Sequence, residues 1–250
     1  MNRIFVFSLG TVSYLIFLIT FVYLIAFVGI PVDILPKTLD STPQTSPILA
    51  IITDTLLVAL FALQHSVMAR PAFKKWWQEY IPKYLVRSIY VLLASIALCI
   101  LFWQWQPIGG IVWNVENTIG KYILYGISAT GWIIVLISTF LIDHFDLFGM
   151  RQVYLYFRQQ EYTNLKFETK GLYKYVRHPL MSGFLIAFWA APKMSASHLL
   201  FAIAMTIYVF AGIYLEERDL IKAHGDSYRT YQRQVAAIFP LPKNKYEILE

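Results

Sequence analysis

Long apolar runs alternate with short polar segments along this chain. Ile4 to Ile30 is apolar apart from small and hydroxyl side chains, and Pro47 to Ala69, Val86 to Trp105 and Tyr122 to Ile142 repeat the pattern. A helix needs about 20 apolar residues to cross a hydrocarbon core, so each run predicts a membrane-spanning helix. A last apolar region, Leu180 to Leu215, is broken near Pro192-Lys193. Its first arm is short for a full crossing. The region reads either as a tilted helix hairpin or as a short helix followed by a long one. The expected fold is an all-α integral membrane protein: a bundle of five or six transmembrane helices with a helical C-terminal tail, forming one domain over 1–250. The first run is too long for a signal-peptide core and has no small-x-small cleavage site, so it is expected to be retained. No internal repeat, low-complexity tract or appended soluble domain is expected.

Composition agrees with the pattern. The chain is 58% hydrophobic and 14% charged, where an average soluble domain carries about 25% charged residues. The single cysteine, Cys99, rules out an intrachain disulfide and a multi-cysteine metal site, and reads as packing. Basic residues are unevenly placed. Five follow the second run (Arg70, Lys74, Lys75, Lys83, Arg87), six follow the fourth (Arg151, Arg158, Lys166, Lys170, Lys174, Arg177) and six follow Leu215 (Arg218, Lys222, Arg229, Arg233, Lys243, Lys245), while Lys37, Lys121 and Lys193 stand alone in the other connections. The positive-inside rule makes the rich segments cytoplasmic. The net charge of +6 follows from this bias and points to anionic membrane lipids rather than nucleic acid. Trp76, Trp77, Trp103, Trp105 and Trp113 near run ends fit an aromatic belt. The expected location is the bacterial inner membrane.

This topology gathers four polar clusters at the cytoplasmic face: Gln64-His65-Ser66 with Arg70, Asp143-His144-Phe145-Asp146, Arg177-His178-Pro179, and Glu216-Glu217-Arg218. Ionisable residues at membrane depth usually line a cavity and mark function. Asp143 and Asp146 share a face if the helix continues. With His144 they read as a metal site, a proton relay or an ordinary helix end. His65 reads as a satisfied interfacial histidine or as a functional one. Structural zinc is not expected, because no H-E-x-x-H or C-x-x-C pattern is present. Pro179 restricts His178 to an extended conformation and opens a helix, whose free N–H groups suit a carboxylate. Arg177 adds a bidentate donor, or snorkels at the boundary. Glu216 and Glu217 suit an ammonium or ribose hydroxyls, or pair with Arg218 or Lys222. Tyr228 and Tyr231 lie on one face and can cover an aromatic ring or pack at the interface. S-adenosyl-L-methionine matches such a pocket in chemistry.

Gly171-x-Tyr173-x-x-x-Arg177-His178-Pro179-x-x-x-Gly183, followed by Glu216-Glu217-x-x-Leu220, His224-Gly225-x-x-Tyr228-x-x-Tyr231-x-x-x-Val235 and Pro240, resembles the signature of the isoprenylcysteine carboxyl methyltransferase superfamily, which includes bacterial phospholipid methyltransferases. Upstream, Gln64-His65-Ser66-Val67-Met68-Ala69-Arg70 resembles the NnrU-like membrane proteins. The stretches Leu141 to Gln152 and Ala187 to Met194 resemble methanethiol S-methyltransferases, which make dimethyl sulfide. The chain departs from the superfamily at Met181, where Tyr is usual, and before Pro240, where a basic residue is common. The resemblance implies a cytosol-facing S-adenosyl-L-methionine site, with S-adenosyl-L-homocysteine as product, held by Tyr173, Arg177, His178, Pro179, Glu216, Glu217, Tyr228 and Tyr231. It implies no resident metal.

The reaction so implied is methylation of a small thiol. The nucleophile is the thiolate, and an unperturbed Cys thiol ionises near about 8.5, so a base helps. His65 and His144 are the candidates, oriented by Asp143 or Asp146. Two other readings remain at this point: methylation of a lipid or prenyl-cysteine carboxylate, and a non-enzymatic NnrU-like membrane protein.

Overall fold

The long helices follow the apolar runs, the third and fourth of them starting three and four residues earlier than their runs. The computed structural model describes residues 1–29, 35–163, 165 and 168–240; Ile30, Lys166, Lys243 and Lys245, used above, lie outside these. Five helices are long and apolar enough to cross a membrane: α1 (Arg3–Gly29), α2 (Pro47–Ala69), α4 (Lys83–Gln104), α5 (Thr118–Ile142) and α9 (Ala196–His224). Ser46 caps α2 by accepting from the Leu49 N–H, with Pro47 in the first turn. Pro71 then forces Arg70 into extended backbone, which closes α2 and opens the short α3 (Pro71–Trp77). Asn117 and Ser195 cap α5 and α9 in the same way. Gly225, at φ +57°, ends α9.

The broken last region is a short helix followed by a long one, the second of the two readings given above. The first arm, α8 (Pro179–Trp189), has 11 residues, about 16 Å at 1.5 Å per residue. The second, α9, runs nine residues past Leu215. What α8 lacks in length is supplied by a ribbon absent from the all-α expectation: β1 (Ile111–Asn114) pairs antiparallel with β2 (Lys193–Ser195), Trp113 opposite Met194. The Trp113 indole donates to the Ala191 carbonyl at 3.0 Å. The ribbon satisfies backbone groups between two helices, where unpaired ones are costly.

Small residues set the tightest crossing. A Cβ on Gly131 of α5 would lie 2.6 Å from the Ala187 nitrogen of α8, and one on Gly183 would lie 2.6 Å from the Gly131 carbonyl oxygen. The two backbones therefore touch, as small residues allow in membrane bundles. The main core, built on Phe27, Phe61, Trp105, Trp132, Phe188 and Phe201, fills the half of the bundle toward the ribbon. At that end Asp54, fully buried, accepts from the Gln106 N–H at 2.8 Å and ties α2 to the segment after α4. The opposite end is polar. There α6 (His144–Leu147), α7 (Met150–Phe157), a 3-10 turn (Gly171–Lys174) and α10 (Asp226–Gln234) surround the ends of α2, α4 and α9.

Candidate functional site

The four polar clusters stand at this polar end, three of them joined through α9 and the fourth, Asp143 to Asp146, held by its own neighbours. Arg70 Nη1 donates to Asp219 Oδ2 at 2.8 Å and joins α2 to α9. Arg87 of α4 donates to the Leu147 carbonyl of α6 at 3.4 Å. The segment before α8 is bound to the end of α9 through His178 and Arg177.

Arg177 and Glu217 form the centre of this knot. Arg177 Nε and Nη2 both lie 2.7 Å from Glu217 Oε1. Its Nη1 donates to the carbonyls of Gln232, at 3.2 Å, and Val235. All faces of the guanidinium are thus engaged by the chain itself. Glu217 also receives His178 Nε2 at 3.1 Å, Gln232 Nε2 at 2.8 Å and the Tyr228 hydroxyl at 3.5 Å. The tail beyond α10 returns as an extended strap: the Arg177 and His178 N–H groups donate to the Ala236 and Ala237 carbonyls, and the Ser182 hydroxyl donates to that of Ile238. Pro179 opens α8 as its sequence predicts, with His178 at φ −126°. The first and second half-motifs, about forty residues apart in sequence, are one folded unit.

The tyrosines belong to the same unit. Tyr228 is 1% exposed, so its ring packs inward instead of forming an open face. Tyr231 donates to the Tyr173 carbonyl at 2.5 Å. Burial pushes the Tyr231 phenol up to about 12, offset in part by Arg177. Burial also raises the phenols of Tyr173 and Tyr228, and neighbouring glutamates add to it. All three stay protonated near neutrality, and Tyr228 and Tyr231 act as donors.

Glu216 differs from Glu217. Its side chain is 48% exposed, and its nearest partner is His178 Nδ1 at 3.6 Å. Its charge adds to the raising of the Tyr173 and Tyr228 phenols.

His65 lies on the wall formed by Tyr90 and Tyr208. Tyr90 Oη is 2.8 Å from His65 Nε2 and 3.4 Å from the His65 carbonyl oxygen. The rings of Phe61, Tyr90 and Tyr208 enclose the imidazole. Among the described residues, His65 Nδ1 and the neighbouring Gln64 Oε1 are buried without a hydrogen-bond partner. Buried unpartnered polar atoms in a native site need an explanation, and a ligand is one.

His144 is placed otherwise. Its Nε2 meets the Tyr14 hydroxyl at 2.7 Å and its Nδ1 meets the Thr139 hydroxyl at 2.8 Å. Phe140 stacks on it at 4.4 Å. The helix does not continue from α5 through this cluster: Asp143 sits at φ +104° and caps α6 by accepting from the Asp146 N–H. The two aspartates therefore do not share a helical face. Asp146 instead pairs with Arg151 at 2.9 Å and accepts from Tyr162 at 3.4 Å. His65 and His144 have separate sets of neighbours, so neither aspartate orients His65. Among the described residues no three His, Cys, Asp or Glu side chains gather as a metal site. A cavity of about 720 Å³ lies at the ribbon end, lined by Tyr23, Lys37, Cys99, Phe102, Trp103 and Gln106, and holds no motif residue.

Sequence reasoning missed Tyr90 and Tyr208. Tyr90 carries no local motif; it meets His65 across 25 residues.

Comparison with known proteins adds an independent line. The family model described as NnrU protein matches residues 55–237. The chain is 52% identical to a methanethiol S-methyltransferase of Crocosphaera subtropica over 240 residues, covering 96% of this chain and 93% of that protein. It is 49% identical to methanethiol S-methyltransferase 1 of Bradyrhizobium diazoefficiens, covering 94% and 81%. It is 47% identical to a methanethiol S-methyltransferase of Mycobacterium tuberculosis, covering 97% and 98%. No solved structure matches.

Proposed function

The chain belongs to the NnrU protein family, and on that premise we propose that it is a membrane methyltransferase moving a methyl group from S-adenosyl-L-methionine to a small thiol, methanethiol in the first instance. The relatives' names and full-length similarity support the reaction and the acceptor. The observation that carries the donor site is the knot in which Arg177, His178, Tyr228 and Gln232 converge on Glu217 and leave Glu216, 48% exposed, beside His178. The donor set fits a zwitterionic nucleoside. It offers an acid for an ammonium or ribose hydroxyls and protonated phenols, while the unpartnered His65 Nδ1 is left to the methyl acceptor. The basic connections support a pocket open to the cytoplasm.

S-adenosyl-L-methionine, when bound, supplies a methyl group activated on a sulfonium. The residues here orient both partners, exclude water and take a proton. Arg177, His178, Tyr228 and Gln232 hold Glu217, and with it the strap that closes one wall. In this reading Arg177 acts on the pocket through Glu217. Tyr173 and Tyr231, joined by their hydrogen bond, brace the same wall, and Glu216 binds the ligand's cationic or hydroxyl groups.

His65 takes the acceptor's proton. If Nε2 keeps its hydrogen and donates to Tyr90 Oη, the Tyr90 proton goes to the His65 carbonyl, and Nδ1 is left with a free lone pair. Nδ1 is the ring nitrogen that has no partner among the described residues. A thiol docked there loses S–H, and its sulfur displaces the methyl in line, giving a thioether and S-adenosyl-L-homocysteine. His144 has both ring nitrogens occupied, so it and Asp143 and Asp146 shape the corner after α5 instead.

Calorimetric titration of detergent-solubilised protein with S-adenosyl-L-homocysteine tests the donor half. Saturable heat is expected, and its absence would remove the donor site from this account.

A further inference from the structure

The cavity at the ribbon end takes no part in methyl transfer. At about 720 Å³ it falls within the range of small-molecule sites, about 300–1,000 Å³. Its lining changes with depth. Lys37 and Gln44 line it from the connection between α1 and α2, and Gln106 from the segment after α4. Ile19 of α1 and Cys99 and Phe102 of α4 line its inner part. Ile19 lies ten residues before Gly29, the last residue of α1, and Cys99 five before Gln104, the last of α4. At 1.5 Å per residue these are about 15 Å and about 8 Å along the helices, so the inner part stands at acyl-chain depth in a hydrocarbon core about 30 Å thick. Ile19 and Trp103, also in the lining, are 71% and 73% exposed, so the cavity borders the outer surface of the bundle.

One cation is fixed at the polar rim. Lys37 Nζ donates to the Trp103 carbonyl at 2.6 Å, in the last turn of α4, and the Tyr23 hydroxyl of α1 donates to the Lys37 carbonyl at 2.8 Å. Lys37 is therefore pinned between the two helices that wall the cavity. An ammonium carries three donors, and the bond to Trp103 is the one that Lys37 Nζ makes among the described residues. Capping of α4 accounts for that donor but not for a cavity beneath the cation. A cation at the membrane boundary above an apolar slot matches an amphipath with an anionic head and a hydrocarbon chain, and the molecule of that kind that a bilayer presents to the side of a helix bundle is a phospholipid.

We propose that this cavity binds one phospholipid from the leaflet at the ribbon end, its phosphate on Lys37 and an acyl chain along Ile19, Cys99 and Phe102. The site lies at the end of the bundle away from the two half-motifs and from His65, so it does not depend on the methyl donor or the acceptor.

Cys99, the single cysteine of the chain, lines the cavity and reports its occupancy. Delipidated protein in neutral detergent is alkylated with N-ethylmaleimide while dioleoyl phosphatidylglycerol, dioleoylglycerol or inorganic phosphate is titrated in. Phosphatidylglycerol is expected to slow alkylation saturably. Dioleoylglycerol, which has the chains without the phosphate, and inorganic phosphate, which has no chains, are expected to leave the rate unchanged at the same concentrations. Lys37→Met is expected to raise the half-protecting concentration of phosphatidylglycerol roughly 10- to 100-fold, the range for a hydrogen bond to a charged group, and Lys37→Arg to keep most of the protection. Equal protection by dioleoylglycerol, protection by inorganic phosphate alone, or no protection of wild type by any of the three would overturn the proposal, as would full protection of Lys37→Met at the wild-type concentration.

Discussion

At the scale of single residues, His65 and His144 make opposite predictions. A positioned general base contributes about 100- to 10,000-fold. His65→Ala is expected to lower kcat by that order at neutral pH with S-adenosyl-L-homocysteine affinity nearly unchanged, and the loss should shrink as pH rises and solvent supplies thiolate. Dimethyl sulfide measured by gas chromatography across pH checks both parts; full turnover in His65→Ala would exclude it as base. His144 should instead matter to folding. Burial holds its imidazole below its ordinary value of 6.5, against a weaker opposite pull from Asp143. The unfolded chain then takes a proton there before the folded one does, so stability from this group is present above 6.5 and declines as pH falls below it. His144→Asn should flatten that decline in thermal unfolding between pH 7 and 5, and an unchanged slope would count against this role. Arg177→Ala leaves Glu217 without its main partner. A loss of about 3 kcal/mol of stability is expected, read as a lower unfolding midpoint even without ligand. If the midpoint holds and only binding weakens, Arg177 faces the ligand after all.

Between elements, the crossing of α5 and α8 fixes where the first half-motif points. Gly131 and Gly183 let the backbones touch, and α8 is too short to be anchored by length. Gly183→Leu forces the helices apart. Overpacking of this kind costs about 1–3 kcal/mol, and here it should also displace His178 from Glu217 and abolish S-adenosyl-L-homocysteine binding; retained affinity with a lowered midpoint would separate the crossing from the site. The limits of sequence reading show at this scale. The four long spans upstream were legible because bilayer crossing demands continuous apolar residues, but the cap at Asn117, which starts α5 four residues before Tyr122, was not read. The break at Asp143 was not, since one residue at positive φ leaves no periodic trace. The β1–β2 ribbon was not, because its strands are about eighty residues apart and only three or four residues long. The half-motifs were legible as motifs, but the saturation of Arg177 by Glu217 and the strap depends on pairings across forty to sixty residues that no local pattern encodes.

At the scale of the whole molecule, the polar end and the ribbon end divide the bundle, and the positive-inside rule predicts that the polar end is cytoplasmic. Single cysteines on a Cys99→Ser background at Lys75, Lys170 and Lys222 should resist an impermeant thiol reagent in intact cells, while those at Lys121 and Lys193 should react. The reverse pattern would put the site outside the cytoplasm, away from the methyl donor. The claim that unites the scales is transfer of a methyl group from S-adenosyl-L-methionine to a small thiol at the polar end. The most direct measurement uses purified protein, methyl-labelled S-adenosyl-L-methionine and methanethiol, with prenyl-cysteine and phospholipid as parallel acceptors. The account predicts one labelled dimethyl sulfide for each S-adenosyl-L-homocysteine formed, and no label in the other acceptors. Label in the lipid or prenyl-cysteine instead, or no labelled dimethyl sulfide from protein that binds S-adenosyl-L-homocysteine, would contradict it.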